Sequence, residues 1–159
     1  MTIENKWDLT TEAERGYIAG IIDGEGCITI DKSSSHWTGR NIYSVRVVVS
    51  MTDKQVPLFL HQKFGGAFYE YQRKNTNCKV THIWKLTNSK TTNFLRLIQP
   101  YLLIKRPQVE VALRFISTLY PQGRLHGKFV SELDGVLNHR DRLKLEINHL
   151  NQRGKVGAI

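Results

Sequence analysis

The sequence has few cysteines, from which disulfide frameworks and many zinc centres are built. Its 159 residues include only two cysteines, Cys27 and Cys78, and no CxxC pair. The six histidines show no ligand spacing with cysteines or acidic residues, so neither a zinc site nor an HNH-type nuclease site is indicated. We expect two ordinary thiols in a reducing compartment.

Long apolar runs and phosphate-binding loops are also missing. No segment approaches the roughly 18 apolar residues of a membrane span, and the N-terminal "MTIENKWD" lacks the basic-then-apolar layout of a signal peptide. The absence of a GxxxxGK loop gives no support for ATP use. We therefore expect a soluble chain with no membrane partner, located inside the cell in an organelle or a prokaryotic cytoplasm.

Acidic residues are scarce in the middle of the chain. The formal net charge is +9, and residues 32–106 contain thirteen Lys and Arg but only Asp53 and Glu70 as acids. Such a positive field favours a polyanionic partner, of which nucleic acid is the commonest. The alternative is a solvated basic face that binds nothing.

Hydrophobic periodicity predicts an α+β fold. Thr11 and Glu14 form a capping-box pattern, and Ile18, Ile21 and Ile22 have helical spacing, which together predict a helix over residues 11–23. After Gly24 and Gly26 the period changes to two, as in strands. The further predicted elements are strands at 27–31 and 43–51, a helix at 53–64, strands at 67–74 and 80–87, and helices at 89–102, 106–119 and 128–151.

The predicted strands have one apolar and one polar face. Tyr43, Val45, Val47 and Val49 alternate with polar side chains, and Trp84 belongs to the apolar face, which should pack against helices. The polar face is suited to base edges and phosphates, although a simple solvated face would show the same alternation. The candidate DNA-binding residues are Thr29, Asp31, Ser33, Arg40, Ser44, Arg46, Ser50, Glu70, Gln72, Lys74, Thr81 and Lys85.

The first helix carries small residues on one side and acids at its end. Gly16 and Gly20 are four apart with Ala19 beside them, a pattern that indicates close approach by another helix. Asp23 and Glu25 fall at the C-terminal end, where the helix dipole disfavours negative charge. Carboxylates at that place suggest a cation site.

The segment "IAGIIDGEG", residues 18–26, resembles the motif that names the LAGLIDADG homing endonucleases, with Ile for Leu, Gly for Ala and Glu for the last Asp. The order α-β-β-α-β-β-α resembles the core of that family over about residues 10–120. The resemblance implies a four-stranded, antiparallel, saddle-like sheet that binds DNA. It assigns residues 1–120 to the endonuclease domain and leaves 121–159 as a C-terminal helical extension packed on the same domain.

The resemblance also implies roles for single residues. Glu25 is the family's final acid, which binds a divalent metal, Mg²⁺ or Mn²⁺, with the carbonyl of Gly24 next to the metal. Lys105, in "QPYLLIKRPQ", corresponds to the catalytic lysine, and Arg106 is its neighbour on the DNA. The face that meets a second copy of the motif helix comprises Gly16, Ala19, Gly20 and Asp23, of which Asp23 supports the helix ends. Because the chain has one motif, a homodimer acting on a pseudo-palindromic target is expected.

Three functions remain open on this fold. The first is an intron-encoded, metal-dependent endonuclease that hydrolyses both strands of DNA at a specific site. The others are an RNA maturase that binds intron RNA and a DNA-binding regulator that does not cleave. Glu25 and Lys105 favour the enzyme, because a pure binder gains nothing from a carboxylate beside phosphates. Met51 stands near the place where relatives hold the attacking water with a polar side chain, for which Ser50 and Lys54 are the candidate replacements.

Overall fold

The computed structural model describes residues 10–37, 39, 41–74, 77–87, 89–119 and 130–152. Its elements, in order, are α1 (Glu12–Glu25), β1 (Gly26–Ser34), β2 (Asn41–Met51), α2 (Gln55–Phe64), β3 (Ala67–Tyr71), β4 (Thr81–Thr87), α3 (Ser89–Ile98), a short 3-10 helix (Gln99–Tyr101), α4 (Arg106–Leu119) and α5 (Val130–Asn151). The predicted α-β-β-α-β-β-α order is confirmed. No helix in these ranges is long and apolar enough to cross a membrane.

Helix α1 begins as predicted and ends two residues later than predicted. The Thr11 hydroxyl accepts from the Glu14 N–H at 3.2 Å, and the Glu14 carboxylate accepts from the Thr11 N–H at 2.9 Å. At the other end, the Gly26 N–H still donates to helical carbonyls, and β1 starts at Gly26 without a loop. A Cβ at Gly26 would lie 2.7 Å from the Ile22 carbonyl oxygen, so this abrupt junction requires glycine.

The four strands form one antiparallel sheet in the order β1-β2-β4-β3. One face is covered by helices, as the predicted alternation requires, and the apolar side chains of the central strands are buried there. Trp84 on β4 is fully buried against Phe94 of α3 and donates from Nε1 to the Gly65 carbonyl at 2.7 Å. No helix among the described residues packs on the opposite face, and we call it the open face.

Helix α5 covers the outer edge of the sheet. β1 is an edge strand because it pairs only with β2. Lys144 Nζ donates to the Ile30 carbonyl at 3.1 Å, and Asn151 Nδ2 donates to the Ile28 carbonyl at 2.9 Å. Leu143 of α5 is also buried in the core. Covering a sheet edge in this way protects it from pairing with other chains. The predicted domain boundary after residue 120 falls outside the described residues.

Candidate active site and nucleic-acid interface

Glu25 is the last residue of α1 and lies at the helix–strand junction. It is exposed, and no described residue forms a hydrogen bond or an ion pair with its carboxylate. A negative charge at a helix C-terminus is unfavourable by a few tenths to about 1 kcal/mol. The position of Glu25 therefore suits a role in binding or catalysis rather than in stabilising the protomer.

Lys105 is brought to the same end of α1 from a distant part of the chain. Its ammonium donates to three backbone carbonyls, those of Ile22 at 2.8 Å, Asp23 at 3.0 Å and Gly26 at 2.5 Å. Carbonyls at the end of a helix lack intrahelical donors and carry the negative end of its dipole, so they attract a cation. The structure thus places the two predicted catalytic residues, Glu25 and Lys105, at one site.

Asp23 fixes the segment that leads into α4. Its carboxylate accepts hydrogen bonds from the backbone N–H groups of Leu103 at 2.8 Å, Ile104 at 3.2 Å and Lys105 at 2.8 Å. Burial raises the pKa of the Asp23 carboxyl, but these hydrogen bonds lower it more, so the net pKa lies below its ordinary value. Asp23 therefore supports α4 within the protomer.

The exposed side of α1 is lined with glycine. Gly16, Gly20 and Gly24 are exposed, and a Cβ built on any of the three would meet nothing within 4 Å. Ala19 is different: it is fully buried in the core of the protomer. Our expectation that Ala19 lies on the face shared by the glycines is therefore corrected, because one residue along a helix turns the side chain by about 100°.

Strand register places most of the predicted DNA-binding residues on the open face. Directly paired residues of antiparallel strands share a face, and Thr29 pairs with Arg46, Asp31 with Ser44 and Lys85 with Val48. The predicted residues that lie on the open face are Thr29, Asp31, Ser33, Ser44, Arg46, Ser50, Thr81 and Lys85. Five of these residues carry hydroxyl groups, two are basic and one is acidic, so the residues predicted for this face are polar.

The prediction for the third strand was wrong. Glu70 pairs with His82 on the helix-covered side, where Glu70 Oε1 lies 3.3 Å from His82 Nδ1. Gln72 and Lys74 lie beyond the last residue of β3, so they are not strand residues. Tyr69 and Tyr71 occupy the open face instead, opposite Ile83 and Thr81, and the sequence analysis missed them. Arg40 falls outside the described residues.

Two of the predicted basic residues are already engaged within the chain. The Arg46 guanidinium lies 3.1 Å from the Asp31 carboxylate and also donates to the Thr29 hydroxyl at 3.4 Å. Arg106, the first residue of α4, donates to the Pro100 carbonyl at 3.2 Å and remains exposed. Arg46 would have to exchange its ion pair for any contact with a nucleic acid.

The candidates for the water-positioning residue lie at the end of β2 and just beyond it. Met51 is half-buried and packs against the core, whereas Ser50 is exposed on the open face. Lys54 is also exposed and directly precedes α2. Ser50 follows Val49, the partner of Gly26, with which β1 begins directly after Glu25.

The oxygen atoms at the end of α1 are of the type that Mg²⁺ prefers. Glu25 offers an exposed carboxylate and Gly24 an exposed backbone position, and both provide hard oxygen ligands. Within the described ranges, no three His, Cys, Asp or Glu side chains come together as a metal-binding group.

The chain is thus an α+β protein with an open sheet and with an acid and a lysine at the end of a glycine-rich helix. The LAGLIDADG endonuclease family profile matches residues 18–109, which is more than half of the chain. The chain belongs to this family. No curated protein matches it in sequence.

Solved structures share the fold at low sequence identity. The homing endonuclease I-CvuI, in complex with the I-CreI target in 2 mM Mg and with the DNA not cleaved, is 20% identical with a TM-score of 0.69, and the alignment covers 93% of this chain and 87% of that one. The archaeal intron-encoded homing endonuclease I-Vdi141I, complexed with DNA, is 16% identical with a TM-score of 0.68 and coverages of 93% and 90%. I-GzeII, in complex with its DNA target, is 15% identical with a TM-score of 0.64, and 43% of its chain is covered.

Proposed function

We propose that this chain is a homing endonuclease that cleaves both strands of DNA at a specific site, in a reaction that requires a divalent metal. The observation that carries the proposal is that Glu25 and the Lys105 ammonium both lie at the C-terminal end of α1. A carboxylate that forms no hydrogen bond or ion pair with any described residue and a lysine ammonium are groups that phosphodiester hydrolysis uses.

The open face is the proposed DNA interface. β2 contains 11 residues, so it extends over about 36 Å at roughly 3.3 Å per residue, or about ten base pairs at 3.4 Å per base pair. Two copies of the sheet would cover about twenty base pairs. I-CvuI and I-Vdi141I, which share the fold, are in complex with DNA, and this supports a DNA-binding role for the chain.

We further propose that the active form is a homodimer with a pseudo-palindromic target. Gly16 and Gly20 cost α1 up to about 1 kcal/mol each relative to alanine, and nothing in the described protomer uses the space that they leave. A second α1 packed against this face would use it. The chain spans most of I-CvuI and I-Vdi141I but less than half of I-GzeII, as expected for a chain with one motif.

Mg²⁺ or Mn²⁺ fits the oxygen ligands at the site, and Glu25 and the Gly24 carbonyl would hold it. When bound, such an ion lowers the pKa of a water molecule and offsets charge on a phosphate. The chain's own residues do the rest. Lys105 stabilises the negative charge that develops on the phosphate, Ser50 orients the attacking water, and the open face fixes the register of the DNA.

The proposal is tested with plasmid DNA that carries the uninterrupted insertion site of the host gene. We expect linear product in Mg²⁺ or Mn²⁺ and none with excess chelator. Glu25→Gln keeps the shape and removes the charge, so it should abolish cleavage and leave binding in a gel-shift titration nearly intact. Cleavage in excess chelator, or an unchanged rate in Glu25→Gln, would refute the mechanism.

A wild-type protein that binds the site and never cuts it would instead be a regulator. Preferential binding of the host intron RNA, with improved splicing, would identify a maturase. Both outcomes would refute the endonuclease proposal.

A further inference from the structure

Asp23 and Lys105 tie the same two segments together in opposite directions. The Asp23 carboxylate extends from α1 to the backbone N–H groups of residues 103–105. The Lys105 ammonium returns to the carbonyls of Ile22, Asp23 and Gly26. We call these two residues, with the hydrogen bonds that they make in this way, the α1 clasp.

The clasp satisfies backbone groups at two helix ends. Lys105 accepts at its carbonyl from the Val109 N–H at 3.1 Å, so it directly precedes the first turn of α4, where N–H groups lack intrahelical acceptors. The Asp23 carboxylate supplies an acceptor to the segment entering that turn. The Lys105 ammonium supplies a donor for the last carbonyls of α1.

The clasp also determines where the Lys105 charge lies. A lysine side chain is long and flexible, and its ammonium is a mobile point charge unless its backbone and its nitrogen are both fixed. Asp23 fixes the backbone of Lys105, and the carbonyls of α1 fix the nitrogen close to Glu25. Loss of the carboxylate would free the 103–105 segment and let the ammonium move.

We infer that Asp23 is a positioning residue for DNA cleavage and that it acts through Lys105. The inference rests on the proposed function, because it uses the role of Lys105 in stabilising negative charge on the reacting phosphate. The Asp23 carboxylate is occupied by the backbone N–H groups of residues 103–105. Its contribution is the geometry of the lysine, and an error of about 1 Å in such a group slows a reaction by up to about a hundredfold.

A double-mutant cycle separates positioning from a general structural effect. Asp23→Asn replaces one acceptor oxygen by an NH₂ group that faces a backbone N–H, and Lys105→Met keeps the length of the side chain without its charge. We expect Asp23→Asn to slow single-turnover cleavage by about tenfold or more with little change in target affinity. In the Lys105→Met background the same change should alter the rate by less than about twofold, since coupled residues are non-additive.

Asp53→Asn is the matched control for this cycle. Asp53 Oδ1 accepts from the Gln55 N–H at 2.7 Å at the start of α2, a similar cap away from the clasp. The control should leave the cleavage rate unchanged. An equal slowing by Asp23→Asn with and without the Lys105 ammonium would overturn the inference, as would no slowing in the wild-type background.

A second measurement needs neither DNA nor metal and therefore stands if the proposed function fails. Amide hydrogen exchange of residues 103–105 should be slow in the wild-type chain and faster in Lys105→Met, because the two halves of the clasp support each other. The amide of Gln55 should be unaffected. Unchanged exchange at 103–105 in Lys105→Met would refute the clasp, even if Asp23→Asn does not fold. A wild-type chain that cuts no DNA would refute only the endonuclease proposal and leave this measurement to decide on the clasp.

Discussion

Asp31 and Arg46 lie side by side on the open face, with the Arg46 guanidinium 3.1 Å from the Asp31 carboxylate. The two residues stand on adjacent strands and are each about one-third exposed at the side chain. An ion pair with this exposure contributes about 0–1 kcal/mol to folding. We expect its larger effect to be on DNA binding, because the Asp31 carboxylate offsets the charge of Arg46 on the surface that is proposed to contact phosphates.

Removing the acid should strengthen DNA binding. In Asp31→Asn the Arg46 guanidinium is released and a negative charge is lost, so we expect tighter binding and a steeper salt dependence, by about one unit of log K against log salt. Fluorescence anisotropy with a labelled duplex over a salt series measures both. Glu110→Gln, an equal charge change at an exposed position of α4, is the control. Identical effects of the two substitutions would show that only net charge matters.

A bulky residue at Gly20 should block assembly without harming the protomer. A Cβ at Gly20 has open space around it, and leucine is a better helix former than glycine, so Gly20→Leu should keep or raise stability by up to about 1 kcal/mol. We expect a monomer by analytical ultracentrifugation, with cleavage lost. A Gly20→Leu protein that sediments as a dimer and cuts DNA would exclude the packing of two α1 helices.

Gly26→Ala is the contrasting variant. Its Cβ would lie within 3 Å of the backbone of Ile22, so this small substitution should destabilise the protomer, unlike the larger one at Gly20. Thermal unfolding of both proteins makes the comparison. A stable Gly26→Ala chain would show that the helix–strand junction tolerates a side chain.

Trp84 should be a stability residue without a direct effect on DNA. It is fully buried, packs edge-to-face against Phe94 and donates to the Gly65 carbonyl. Trp84→Ala leaves a large cavity and should lower the free energy of unfolding by about 3–5 kcal/mol in denaturant titrations. Lys85 follows Trp84 in β4 but lies on the open face, so Lys85→Ala should weaken DNA binding with little loss of stability.

These core and face assignments show what the sequence could predict. In β2 every second residue from Tyr43 to Val49 is apolar and the positions between them are mostly polar, so the buried face could be identified, and Trp84 and Arg46 were assigned correctly. In β3 the sequence has aromatic residues at Phe68, Tyr69 and Tyr71, on both faces, and alternation gives no unique answer. The Glu70 error follows from that ambiguity.

The candidate site was predictable only in part, for a related reason. The motif indicated Glu25, and the resemblance indicated Lys105, but the hydrogen bonds that bring Lys105 to the end of α1 join residues about 80 positions apart. No local pattern reports such contacts. The spacing of small residues indicates that one face of the helix is closely approached, but it does not show which of these residues lie on that face. Ala19 was misplaced for this reason.

The attachment of α5 should depend on pH. The Asp141 carboxylate accepts from Lys32 Nζ and from the Tyr43 hydroxyl, each at 2.8 Å, and these hydrogen bonds, that of Lys32 first, lower the pKa of the Asp141 carboxyl from 3.8. A lowered folded-state pKa gives stability that is present above the unfolded value and is lost as the pH falls through the folded value. The midpoint of thermal unfolding should therefore drop below about pH 4.

Asp141→Asn tests this dependence. The variant should unfold at a lower temperature than wild type at neutral pH, and the difference should shrink as the pH falls below 3.8. Circular dichroism melts over a pH series measure it. A constant difference at every pH would show that the Asp141 charge does not hold α5.

The two tyrosines of β3 give the sharpest test of the open face. Tyr71 and Tyr69 are 54% and 45% exposed, on the side proposed to meet DNA, while Glu70 between them points to the helix-covered side. Because an exposed ring contributes little to folding, Tyr71→Ala should leave the melting temperature nearly unchanged. It should weaken target binding by about 1–3 kcal/mol if the ring or hydroxyl contacts a base. Tyr71→Phe separates the hydroxyl from the ring, and Glu70→Gln is the control that should leave affinity unchanged. Weaker binding in Glu70→Gln with none in Tyr71→Ala would mean that the register of β3 is shifted by one residue, which turns every side chain of a strand to the opposite face.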